Sequence, residues 1–158
     1  MYITIDDYLK LYDPIDAKVF NRLAADACRM IDYHTTGVDG VKKLKWAFPT
    51  DADDSTSVKN CTAKLVNLLY RVEEAEKMSG VVTTDQGMRG KLVSSVSAGN
   101  ESISYSAGPS SVIEKAAADP ASKNALVADT IRQSLSGIRD AYGVLLLYMG
   151  PYPRRCIP

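Results

Sequence analysis

His34 is the only histidine in the 158-residue chain, and histidine is the side chain best suited to acid–base catalysis near neutral pH. It stands at the predicted end of a helix, between Tyr33 and Thr35. No serine or cysteine nucleophile signature surrounds it, so we interpret it as a surface or capping residue. An enzyme that pairs His34 with Asp32 remains an alternative.

Two other stretches have partial matches to known binding motifs. The segment that begins at Asp51 resembles a calcium loop, but Thr56 replaces the required glycine and Thr62 the required glutamate. The segment 87–91 ends in Gly-Lys, but it lacks the earlier glycine of a phosphate-binding loop and is followed by Leu92. The chain also has no CxxC or HExxH pair. We therefore predict no catalytic residue, no metal and no cofactor.

A basic run surrounds Trp46 and could contact nucleic acid, with the indole stacking on a base. The chain has 19 basic and 19 acidic residues, and this balance disfavours a dedicated DNA-coating protein. We interpret Trp46 as packed and the lysines as solvated. A small helical nucleic-acid-binding regulator remains an alternative, and its contacts would be Lys42, Lys43, Lys45, Arg154 and Arg155.

Composition and length indicate one globular domain with an appended arm or tail. The chain is 46% hydrophobic and 24% charged, which is close to globular averages. Its three cysteines do not make a disulfide framework, and acids stand where a signal peptide carries bases. The longest strongly apolar run, Val144 to Met149, is too short to span a membrane. We expect an intracellular protein without a membrane segment.

Apolar spacing and capping residues predict a mainly helical chain. Asp13-Pro14 and Asp119-Pro120 are start signals for helices, and Ser111 with Glu114 forms a predicted capping box. Residues 41–48 are either a short helix or an irregular cover for the core. The predicted helices span roughly 5–11, 14–33, 55–78, 111–118 and 121–137.

Two extended elements are predicted beside these helices. Residues 92–97 and 102–106 read as the strands of a serine-rich β-hairpin, and Val144 to Met149 reads as a strand before a proline-rich end. The fold class is therefore a small helical bundle with a projecting hairpin arm and an extended C-terminal tail. The predicted segments are a helical core (1–80), a hinge and hairpin arm (81–110), helices that complete the core (111–142) and the tail (143–158).

The order of these elements resembles the head–tail connector proteins of long-tailed bacteriophages, which are also called adaptor or head-completion proteins. The stretches that carry the resemblance are Ile3–Leu9, Val58–Tyr70, Gly90–Tyr105 and Leu146–Gly150. The resemblance implies a structural protein without catalysis. It implies a dodecameric ring below the portal that extends the channel for double-stranded DNA and presents a platform for the stopper or tail-completion protein.

The resemblance also implies a location in the neck of the virion, after synthesis in the host bacterial cytoplasm. The hairpin is then expected to contact the neighbouring subunit through Val93, Val96, Ile103 and Tyr105. The C-terminal tail is expected to dock on the portal by adding a strand to it. The alternative is that Leu145 to Tyr148 form a strand that packs on the protein's own hairpin. The residues expected to make this contact are Leu145, Leu146, Leu147, Tyr148, Met149, Tyr152, Arg154 and Arg155.

Overall fold

The structure, a computed structural model, describes residues 1–78, 95–98, 101–104 and 111–153. These residues are mainly helical, as predicted. The helices are α1 (Ile5–Leu9), α2 (Ala17–Thr35), α3 (Lys43–Trp46), α4 (Ala52–Met78), α5 (Val112–Ala118) and α6 (Pro120–Leu135), and the strands are β1 (Ser95–Ala98) and β2 (Glu101–Ser104). The chain divides into two compact units, one comprising Met1–Leu69 with Ala125–Pro158 and the other Tyr70–Asn124.

Side-chain caps fix the starts of α1 and α2. The Thr4 hydroxyl accepts a hydrogen bond from the Asp7 N–H at 3.2 Å and caps α1. The predicted start of α2 at Asp13-Pro14 is wrong, because Asp16 is its cap. The Asp16 carboxylate accepts the N–H groups of Lys18 and Val19 at 2.8 and 3.2 Å, which satisfies donors that the first turn leaves unpaired.

Aspartates also cap α4 and α6. The Asp51 carboxylate accepts the N–H groups of Asp53 and Asp54 at 3.0 and 3.1 Å, so α4 begins three residues earlier than predicted. Asp119 accepts the Ser122 N–H at 2.9 Å and confirms the predicted start signal of α6.

The first unit has an apolar core to which each of its helices contributes. The Tyr8 ring of α1 lies 5.6 Å from the Phe20 ring of α2, centroid to centroid. Leu23 and Ile31 of α2 are fully buried, as their spacing predicts, whereas Val19 is half-buried. Other large core side chains of this unit are Leu44, Val58, Leu65, Val66, Ile131, Leu135 and Leu146.

The second unit contains the paired strands and α5. β1 and β2 are antiparallel, with Ser95 opposite Ser104 and Val96 opposite Ile103, so the predicted pairing occurs over four residues in each strand. The projection of this hairpin as an arm stays a prediction. The capping box of α5 is confirmed in both bonds, since the Glu114 N–H reaches the Ser111 hydroxyl and the Ser111 N–H reaches the Glu114 carboxylate.

Candidate functional site

The segment that follows α6, residues 136–153, is folded onto the first unit and is called the C-terminal segment below. The predicted strand over Val144 to Met149 is wrong, since this stretch consists of turns with a bridge between Arg139 and Leu145. Gly143 has a φ of +80°, a conformation that favours glycine, and reverses the chain just before the apolar run. The Asp140 N–H bonds to the Val144 carbonyl and closes this turn at 2.9 Å.

A buried lysine of α3 holds the C-terminal segment in place. The Lys43 side chain is fully buried, and its ammonium donates hydrogen bonds to the carbonyl oxygens of Leu145 (3.2 Å), Leu146 (3.0 Å) and Tyr148. The ammonium also lies 5.6 Å from the centroid of the Tyr148 ring, within the range of a cation–π contact. One side chain therefore bonds to three carbonyls of the segment, of which that of Leu145 also accepts the Tyr148 N–H at 3.1 Å.

Two effects on the pKa of this ammonium oppose each other. Burial lowers the pKa of Lys43 because it disfavours the charged form, whereas the charges of Asp140 and Asp39 raise it. The carbonyl dipoles and these carboxylates compensate for the water that the ammonium has lost. Lys43 is thus a structural residue of the first unit.

Asp140 organises the turn from the other side. One carboxylate oxygen accepts the N–H groups of Tyr142 and Val144, each at 2.9 Å, and the other accepts the Tyr152 hydroxyl at 2.5 Å. Asp140 and Tyr152 are both buried. The end of the described chain is therefore tied back to the turn that follows α6.

Backbone contacts join the C-terminal segment to the loop between α2 and α3. The Val38 N–H donates to the Met149 carbonyl at 3.0 Å, and the Tyr152 N–H donates to the Asp39 carboxylate at 2.6 Å. The bond from Tyr152 is the main reason why the pKa of Asp39 is lowered. Together with the Lys43 bonds, these contacts fix the segment along its whole described length.

The two backbones also approach each other closely at Gly37. A β-carbon at this position would lie 2.8 Å from the Gly150 carbonyl oxygen, a distance that side chains do not tolerate. Glycine is therefore required there by the contact with the C-terminal segment.

The eight predicted docking residues differ in their burial. Leu146 and Tyr152 are buried in the first unit, so their prediction as docking residues is wrong: they fill the core. Leu145, Tyr148 and Met149 are 39%, 46% and 52% exposed. Leu147 is half-buried, and Arg154 and Arg155 lie outside the described residues.

Further exposed apolar side chains lie on the segments that contact these residues. Val38 and Tyr142 are exposed, and the sequence analysis did not single them out. Trp46 is 46% exposed, so its interpretation as a packed residue is wrong. Together with Leu145, Tyr148 and Met149, these three residues are called the apolar display set below. Its members are Val38, Trp46, Tyr142, Leu145, Tyr148 and Met149.

The basic run offers less to a nucleic acid than its sequence suggests. The buried Lys43 ammonium is used within the fold. Lys45 is exposed, but its ammonium lies 3.5 Å from the buried Asp32 carboxylate. Lys42 is also exposed, and among the described residues no carboxylate forms an ion pair with it.

The alternative of an enzyme requires His34 and Asp32 to interact, but each of these side chains contacts other groups. The Asp32 carboxylate accepts the Tyr2 hydroxyl and faces Lys45, so both of its oxygens are engaged. His34 is half-buried, its ring lies 5.3 Å from the Tyr33 ring, and burial with the charge of Arg132 lowers its pKa. Asp32 therefore orients Tyr2 and Lys45, and this geometry does not favour an Asp32–His34 pair.

The predicted hairpin contacts can be located only in part. Val96 and Ile103 occupy facing positions of β1 and β2. Val93 and Tyr105 lie outside the described residues. Their role between subunits stays a prediction.

Metal ligands and membrane-spanning elements were also sought. Within the described ranges, histidine, cysteine and carboxylate side chains do not cluster in threes as a metal site would require. No helix in the described part of the chain combines the length and apolar character needed to cross a bilayer. Comparison with protein-family models, curated proteins and solved structures finds no match to this chain.

Proposed function

We propose that this protein is a structural component of a bacteriophage virion, a ring adaptor in the neck that joins the capsid portal to the tail or stopper. In this role twelve copies extend the channel through which double-stranded DNA passes. The sequence resemblance to head–tail connectors motivates the proposal. The geometry of the C-terminal segment supports it.

The observation that carries the proposal is the display of apolar side chains on a rigidly held segment. Leu145, Tyr148 and Met149 are exposed, while the backbone beneath them is fixed by Lys43 and Asp140. A preorganised apolar surface loses little conformational entropy on binding, which suits a permanent protein–protein contact. Docking on the portal then uses these side chains.

The proposed contact with the portal does not involve the addition of a strand. The backbone of Leu145 is bridged to Arg139, and the Leu146 N–H donates to the Ile138 carbonyl at 2.9 Å. These groups are used within the fold and are not presented as a free strand edge.

The nucleic-acid-binding alternative has weaker support. Specific protein–DNA interfaces are strongly positive, whereas here the Lys43 ammonium is buried and the Lys45 ammonium faces Asp32. A neutral chain suits a conduit through which DNA passes without being held.

The test is a binding assay with DNA-filled, tail-less heads that form when the gene for this chain is disrupted. Wild-type protein should sediment with the heads, and Met149→Glu should reduce the bound amount, because it places a charge in the apolar contact. Tyr33→Glu is the matched control, since Tyr33 is exposed on α2 and is not a member of the apolar display set. Equal binding by Met149→Glu and wild type would contradict docking through this segment, and no binding by the wild type would contradict the proposed function.

A further inference from the structure

Exposed leucines at the end of α1 and just after it lie among acidic residues. Leu9 and Leu11 are 44% and 52% exposed, and Asp6 and Asp13 beside them are also exposed. Residues 4–16 carry four aspartates and one lysine, and that lysine, Lys10, pairs with Asp7 at 3.1 Å. We call the exposed residues Asp6, Leu9, Leu11 and Asp13 the acidic face.

A second exposed surface has the opposite sign. Residues 38–46 carry three lysines and one aspartate, and of these lysines Lys42 and Lys45 are exposed. The Lys45 ammonium lies 3.5 Å from the buried Asp32 carboxylate, so Lys42 is the main source of positive charge on this surface. Between and beside these two lysines lie the exposed Val38 and Trp46. The aspartate, Asp39, is exposed but accepts the N–H groups of Val41 and Tyr152. We call the exposed residues Val38, Lys42, Lys45 and Trp46 the basic face.

The two faces lie at opposite ends of α2. The acidic face is held near the start of this helix, where Tyr8 of α1 packs on Phe20. The basic face lies just beyond the C-terminal end of α2, where Thr36 forms a β-bridge with Lys42. Phe20 and Thr35 are fifteen residues apart, which corresponds to about 22 Å along a helix. One copy of the chain therefore cannot cover its own basic face with its acidic face.

We propose that the acidic face of one copy docks on the basic face of a second copy. Leu9 and Leu11 would cover the apolar surface around Trp46, and the aspartates would approach Lys42. Two different surfaces that meet in this way form a head-to-tail contact, which continues from copy to copy until it closes as a ring or extends as a filament. The opposite charges set the orientation and disfavour contacts between like faces.

This inference rests on the proposed function and deepens it, because it names the surfaces through which copies of a ring adaptor would meet. It shares Val38 and Trp46 with the apolar display set, but it uses none of the side chains assigned to the portal, which are Leu145, Tyr148 and Met149. The two contacts can therefore be removed separately.

The test uses charge reversal at one residue on each face and sedimentation velocity over a range of concentrations. Lys42→Glu and Asp13→Lys should each weaken self-association by about tenfold or more, because each places like charges across the contact. Lys64→Glu and Asp129→Lys are matched controls on exposed helix positions of the same unit, and they should associate as the wild type does.

Mixing the two variants gives the sharper result. The Lys42→Glu chain keeps its acidic face and the Asp13→Lys chain keeps its basic face, so the mixture should regain a complex that contains one copy of each. An interface that paired the acidic face with another acidic face, or the basic face with another basic face, would be affected by only one of the two reversals. Circular dichroism of each variant establishes that it is folded.

Three results would overturn the inference: a wild-type chain that is monomeric at every concentration, association unaffected by both reversals, and a mixture without recovery. None of them bears on head binding, which tests the proposed function by itself. In the same mixture, the fluorescence of Trp46, the only tryptophan of the chain, should shift to shorter wavelength as the contact covers it.

Discussion

Replacement of Lys43 by methionine tests whether the C-terminal segment depends on the buried ammonium. Methionine keeps most of the apolar stem and removes the three hydrogen bonds to the carbonyls of Leu145, Leu146 and Tyr148. A hydrogen bond to a charged group contributes about 1.5–3 kcal/mol, so three bonds would exceed about 4 kcal/mol. Burial of the ammonium offsets part of this gain, and we expect a net loss of about 2–4 kcal/mol in the free energy of unfolding.

Urea unfolding, followed by circular dichroism, measures this loss directly. Lys42→Met is the matched control, because Lys42 is exposed and its replacement should change the free energy of unfolding by less than about 0.5 kcal/mol. A Lys43→Met chain as stable as wild type, or more stable, would refute the argument. It would mean that the desolvation of the ammonium outweighs its three bonds.

Three further predictions concern the same unit. The Tyr152 N–H lowers the pKa of Asp39, so the stabilisation from this carboxylate is present above its ordinary pKa and is lost as the pH falls. Asp39→Asn should therefore lose less stability than wild type when thermal melting is followed from about pH 5 to pH 2, and identical slopes would contradict this. Tyr152→Phe removes the hydroxyl that bonds the buried Asp140 and should lower the free energy of unfolding by about 1–3 kcal/mol; an unchanged urea midpoint would show that the bond is dispensable. Burial raises the pKa of the Cys61 thiol to about 11. In a chain whose other cysteines are replaced by serine, this thiol should therefore react with a disulfide reagent far more slowly in the folded protein than in urea. Equal rates would place Cys61 at the surface.

Features that depend on local sequence could be predicted from it. The capping box of Ser111 and Glu114 and the aspartate cap of α6 are each contained within a few residues, and both were predicted. The start of α2 was predicted three residues too early, because Asp13 and Asp16 are both competent caps. Only the geometry of the first turn decides between them.

The C-terminal segment could not be predicted, because its conformation depends on distant residues. A run of apolar residues such as Val144 to Met149 has the composition of a buried strand. Its turns are stabilised by Lys43, about a hundred residues earlier, and a lysine in a basic run carries no sequence signal of burial. Trp46 was misjudged for a related reason, since a tryptophan in a short helix is usually packed.

Docking was predicted for the whole apolar run, but the structure divides its side chains into buried and exposed ones. Contact of the exposed side chains with a portal stays a prediction. The run is apolar at every position, so its sequence does not indicate which members face the core. Leu146 is buried while Leu145 and Tyr148 on either side are exposed. The exposed members could be identified only once the turn and its Lys43 anchor were known.

The ring-adaptor role is tested most directly by electron cryo-microscopy of the purified chain mixed with DNA-filled, tail-less heads. The proposal predicts a ring of additional density on the portal vertex, coaxial with the DNA channel, at one vertex of each head. The ring should be absent when Met149→Glu replaces the wild type and present with Tyr33→Glu. Heads that acquire no density at the portal vertex, or that bind the chain elsewhere on the capsid, would contradict the proposed function.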